Sequence, residues 1–173
     1  MKKLIIMILA TALVLCLAAC GESTNDPTGT QAPTGSGNTH EPSFTFTYQG
    51  TEIALHAPAE PIIAALGEPK SYSESTSCAF EGLDKSYGYG SFYLETYPQG
   101  DKDFVYGWWF VDDMVETEEG ICIGSSLADV EKAYGAEHKN GDNTFVIKRG
   151  SGVLTIILDM ASVTSIQYTI VSE

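Results

Sequence analysis

Beyond Ser43 the apolar residues of this chain recur with two different periods, and the helical period occurs twice. Ile53–Gly67 (IALHAPAEPIIAALG) aligns without a gap to Ile121–Gly135 (ICIGSSLADVEKAYG). Each segment opens on alternating apolar residues, Ile53/Leu55 and Ile121/Ile123. Each continues with an apolar pair at i, i+4, Ile62/Leu66 and Val130/Tyr134, which places the pair on one helical face. Ser125 or Ser126 supplies an N-cap in the second copy, with Asp129 in the first turn. Pro58 and Pro61 fall in the first copy where no intrahelical donor is needed. Gly67 and Gly135 both stand where a helix ends on positive φ.

Runs with the strand period follow each predicted helix. Ser77–Glu81, Tyr89–Tyr97 and Phe104–Val111 follow the first, and Thr144–Lys148, Gly152–Asp159 and Val163–Val171 follow the second. Aromatic and β-branched residues dominate them, and Gly- and Asp-rich turns separate them, which favours antiparallel pairing through short connections. The expectation is an α+β domain of two helix-plus-antiparallel-sheet repeats, 43–116 and 117–173, with the helices packed on one face of the sheet. Alternation sends Phe92, Leu94, Thr96, Trp108, Phe110, Leu154, Ile156, Leu158, Ile166 and Tyr168 towards the helices. It leaves Tyr93, Glu95, Tyr97 and Trp109 on the opposite face. Rigid aromatics with a polar edge are the residues that anchor interfaces, so Tyr93, Tyr97 and Trp109 form the candidate binding face. The alternative is an aromatic cluster that only stabilises the sheet.

The region before Ser43 is organised differently. Met1-Lys2-Lys3 is basic, Leu4–Ala19 is apolar apart from Thr11 and Cys16, and Leu17-Ala18-Ala19-Cys20 closes the run. This is the layout of an export signal with a small-residue cleavage site, here residues 1–19. The tetrapeptide resembles the lipobox of bacterial prolipoproteins, which implies that the Cys20 thiol carries a diacylglycerol and becomes the first residue of the mature chain. Cys16 follows Leu15, too bulky for that position. The two acyl chains of such an anchor hold a protein stably on an extracytoplasmic membrane surface, where one chain would bind only marginally. Residues 20–42 are rich in Gly, Thr, Ser, Pro and Asn and bury too little to order themselves, so they read as a tether. Its span would be roughly 25 Å r.m.s..

The stretch from Ile123 to Gly135, followed by strands, also resembles the repeat unit of β-lactamase-inhibitor-protein-like domains. That fold occurs as well in small lipoproteins of outer-membrane assembly. The resemblance implies a sheet surface that grips another protein. The family's cysteine pair within each repeat is missing here. Cys78 and Cys122 instead fall one in each half, which leaves either a bridge between the halves or two free thiols.

Charge narrows the partners. Loss of Lys2 and Lys3 leaves seven of the nine basic residues against 23 acidic ones, a formal charge of about −16. That argues against nucleic acid and anionic lipid headgroups, and is compatible with a basic partner, with cations or simply with solubility. No enzyme signature emerges, for there is no Gly-x-Ser-x-Gly elbow and no phosphate-binding glycine loop. His40, His56 and His138 lack metal-ligand spacing. The acidic run Asp112, Asp113, Glu116, Glu118, Glu119 lacks the order of an EF-hand and reads as a solvated linker. The expectation is therefore a non-enzymatic protein- or peptide-binding lipoprotein without cofactor or metal. The alternatives are an envelope assembly lipoprotein and a solute- or cation-binding one.

Overall fold

A computed structural model describes residues 43–171. The signal, Cys20 and the tether lie outside the described residues. Strands β1 (Thr45–Tyr48) and β2 (Thr51–Ala54) form a hairpin, followed by helix α1 (Ala59–Leu66). Four strands come next: β3 (Ser71–Thr76), β4 (Leu83–Gly88), β5 (Phe92–Gln99) and β6 (Lys102–Phe110). Helix α2 (Leu127–Tyr134) precedes β7 (Thr144–Arg149), β8 (Gly152–Asp159) and β9 (Ser162–Ile170).

The expected α+β arrangement of two helix-plus-sheet repeats does not form. The molecule is mostly β, with one seven-stranded antiparallel sheet in the order β3-β4-β5-β6-β9-β8-β7 and a separate two-stranded hairpin. Two physical facts account for the difference. β6 pairs directly with β9, from Gly107↔Thr169 to Phe110↔Ile166, so the two meanders share a seam and neither keeps a sheet of its own. The helices are only eight residues long and cannot cover the sheet alone. The β1–β2 hairpin covers the same apolar side, with Phe44, Phe46, Ile53 and Leu55 buried. Its turn at Gln49-Gly50 takes positive φ at both residues, the geometry of a two-residue hairpin loop.

The core lies between the sheet and these covering elements. Phe92, Leu94, Trp108, Leu154, Ile156 and Ile166 are wholly buried along the inner face, joined by Ile53 from the hairpin and Val130 from α2. Phe46 from the hairpin lies 5.1 Å from Phe92 and 5.0 Å from Phe110, centroid to centroid. Trp108 stacks on Tyr168 across the seam at 4.9 Å. α2 begins on a capping box: the Asp129 amide donates to Ser126 Oγ and the Ser126 amide donates to Asp129 Oδ2, both at 3.2 Å. The Ser126 hydroxyl also donates to Asp129 Oδ2, and this bond, followed by the one from the Ser126 amide, holds the Asp129 carboxyl below the usual carboxylate range.

The strand expected over Ser77–Glu81 is a turn. Ser77 Oγ accepts from the Phe80 amide at 3.1 Å, and the Ser77 amide donates to the Gly82 carbonyl at 3.0 Å. Pairing instead takes Ser71–Thr76 and Leu83–Gly88 on either side of that turn.

The seam predicts a specific sensitivity. A Cβ at Gly107 would collide with the Tyr168 carbonyl oxygen on the partner strand. Gly107→Ala is expected to destabilise the protein by about 2–3 kcal/mol, read as a lowered urea midpoint. An unchanged midpoint would mean that the two backbones do not meet this closely.

Candidate functional site: a carboxylate and aromatic cavity on the outer face

Side chains facing away from the core converge over β3–β6. Tyr93 from β5 pairs with Trp109 from β6, and their rings lie 5.3 Å apart with a 34° tilt. Gly88 on β4 stands opposite Tyr93, and any Cβ there would meet the tyrosine ring. Both Tyr93 and Trp109 remain partly exposed.

A bulge next to this pair shapes the site. Glu95 faces Gly107 and Thr96 faces Val105, so Tyr106 is the extra residue on β6. Tyr106 is set against the open space beside Glu95, while the Cβ position of Gly107 is taken by the Tyr168 carbonyl oxygen. The result is a cavity of about 760 Å³. Tyr93, Tyr106 and Trp109 contribute aromatic surface to it, Glu95 and Asp84 contribute carboxylates, and the 78–80 turn borders one end.

The electrostatics are uneven. Burial, and secondarily the charge of Asp84, push the Glu95 carboxyl up to about 7. Asp84 Oδ1 and Thr96 Oγ1 are both out of contact with solvent and have no hydrogen-bond partner. Lys85 also lines the cavity, but its ammonium is 2.7 Å from Asp103 Oδ2, a bond that holds the lysine pKa above its ordinary value. Glu74 accepts a hydrogen bond from the Tyr72 hydroxyl.

Tyr97 does not join Tyr93 and Trp109 on an exposed face. Thr96, Tyr97 and Pro98 are buried in succession. The Tyr97 ring lies 4.5 Å from Phe80, and its hydroxyl is 3.0 Å from His56 Nδ1. His56 adopts positive φ at the entry to α1, as Gly124 does before α2. Tyr97 therefore braces a strained turn. Tyr106, Asp84 and Thr96 are the site residues that sequence reasoning missed. The one legible signal was Glu95, a carboxylate enclosed by apolar and aromatic neighbours.

The cysteines do not bridge the halves. Both are free thiols, Cys78 exposed beside the cavity and Cys122 half-buried with its sulfur 3.6 Å from Ser125 Oγ. The acidic linker is only partly solvated. Glu119 accepts from the Tyr134 hydroxyl at 2.7 Å and from Arg149 at 3.0 Å, which ties the linker to α2 and β7. Among the described residues no group of three or more His, Cys, Asp or Glu side chains is arranged to hold a metal ion, and no helix is long and apolar enough to cross a membrane. Comparison of the chain with protein-family models, curated proteins and solved structures finds no match.

The raised Glu95 carboxyl has a consequence for stability. The folded state keeps this proton up to about pH 7, whereas the unfolded chain releases it near 4.5. Stability from this group is therefore complete below 4.5 and falls as pH rises through 7. Glu95→Gln is expected to stabilise the protein by about 1–2 kcal/mol at pH 8, after allowance for solvent screening, and to change little at pH 4. Urea unfolding at the two pH values checks this, and equal effects at both would show that the carboxylate is well solvated.

Proposed function

We propose that this protein is an extracytoplasmic lipoprotein, held on a membrane through diacylglycerol on Cys20, that binds a protein or peptide partner and performs no catalysis. The anchor reading rests on the basic start, the apolar run and the Leu17-Ala18-Ala19-Cys20 closure. The binding reading rests on one observation above all: a large cavity on the outer sheet face whose floor is a Tyr93–Trp109 pair. Aromatic side chains left half-exposed around a concavity with a few converging polar groups are the usual make-up of a recognition site. The resemblance to inhibitor-like domains, which grip proteins with a sheet surface, points the same way.

Two measurements test the two halves of this reading. Cys20→Ser is expected to abolish incorporation of labelled palmitate and to shift the chain from the detergent phase to the aqueous phase. Retention of the label would refute the anchor. For binding, the full chain and a Tyr93→Ala/Trp109→Ala variant with an unchanged circular dichroism spectrum serve as parallel baits against native envelope and secreted fractions. A partner held by the first and reduced by at least about tenfold with the second is expected, since interface aromatics commonly contribute more than 1 kcal/mol each. Equal capture by both would place the interface elsewhere.

A further inference from the structure

The outer-face cavity carries more negative charge than its own residues neutralise. Glu95, Asp84 and Glu74 line it, and the one cation among its lining residues, Lys85, is committed to Asp103. Among the described residues no ion pair reaches Glu95 or Asp84. Asp84 Oδ1 has no hydrogen-bond partner and is shielded from solvent. Buried polar atoms normally find partners, so an orphaned carboxylate oxygen on a residue lining the cavity marks the place of a missing donor. The remaining wall is aromatic, with Tyr93 and Trp109 set together and Tyr106 beside them. Carboxylates on one side and π faces on the other satisfy the same kind of guest, because a cation gains from both.

Resting on the reading of this cavity as a peptide-binding site, we propose that it selects a basic peptide, seating a lysine ammonium or arginine guanidinium between the Glu95 and Asp84 carboxylates and the Trp109–Tyr93 rings. An apolar side chain would leave Asp84 unpaired and Glu95 uncompensated. An acidic one would add repulsion. The surplus of acidic residues in the chain as a whole, a formal net charge of −14, draws a basic partner from a distance.

The titratable groups around Glu95 are Asp84 and Lys85 on β4, Glu74 on β3, Cys78 in the following turn, Tyr93 on β5 and Tyr106 on β6. Of these, Asp84 is the one whose charge raises the Glu95 carboxyl, which reaches about 7 in the empty cavity. A bound cation lowers it, and protons compete with the guest as pH falls through 7.

The test uses the full chain in detergent and blocked pentapeptides, acetyl-Gly-Gly-X-Gly-Gly-amide, with X as lysine, arginine, norleucine, glutamine or glutamate. Binding is followed by the Trp109 indole resonance and the Glu95 side-chain carboxyl resonance. Lysine and arginine peptides are expected to bind about tenfold or more tighter than norleucine, the gain of one charge-assisted contact. They should also lower the Glu95 titration midpoint and weaken between pH 8 and 5.5. Glu95→Gln, close in shape and checked for fold by circular dichroism, is expected to lose that preference and its pH dependence. Norleucine or glutamine binding as tightly as lysine, or a Glu95→Gln variant that keeps the preference, overturns the charge assignment and leaves the binding-module reading standing. An equal response to n-butylammonium overturns the peptide assignment in favour of a small-amine site. If no peptide moves Trp109 while the envelope bait still captures a partner through Tyr93 and Trp109, this inference fails alone; if both fail, the binding reading falls with it.

Discussion

Four residue pairs, Gly107 to Phe110 against Thr169 to Ile166, decide the architecture. Without them the chain would be two small antiparallel meanders, each with an apolar face too narrow to exclude water. With them the face becomes continuous across seven strands, and one core suffices. The seam is held from the inside by Trp108, wholly buried and stacked on Tyr168, with Phe46 over it from the hairpin. The closeness of the two backbones depends on Gly107 having no side chain.

How much of this could be read beforehand depended on how regular each strand was. Leu154, Ile156 and Leu158 alternate cleanly and are buried, as are Leu94, Trp108 and Ile166. Both helices were legible from paired apolar positions and glycine stops. The sheet was not legible as one sheet, because no local pattern says that β6 will pair with β9. β3 was invisible for a different reason: SYSEST is polar throughout and all six residues are exposed, so it carries no apolar period. The β1–β2 hairpin did carry signals, with Phe44 and Phe46 alternating before a Gln-Gly turn, but its role as a cover for the core is a tertiary fact.

The candidate site shows the same division. Tyr93 and Trp109 fall together because ordinary alternation holds at their positions. Tyr97 departs because Phe80 and His56 lie against its ring and hydroxyl. Those neighbours come from the turn after β3 and the entry to α1, which no local pattern in β5 reveals. The orphan oxygens of Asp84 and Thr96 could not be foreseen either, since being unpaired is a property of the surroundings.

The exposed, wholly polar β3 strand gives the cavity an unequal mechanical character. Strands β5 and β6 are clamped on both sides and backed by the core, whereas β3 pairs only with β4 and buries none of its residues. Segments with few buried apolar contacts open at the least cost in free energy. The floor under a guest is therefore rigid and the wall bearing Ser73, Glu74 and Ser75 is compliant. Selectivity would be set by the fixed rings and carboxylates, while the yielding edge would accommodate guests that differ in length or shape beyond the anchored group.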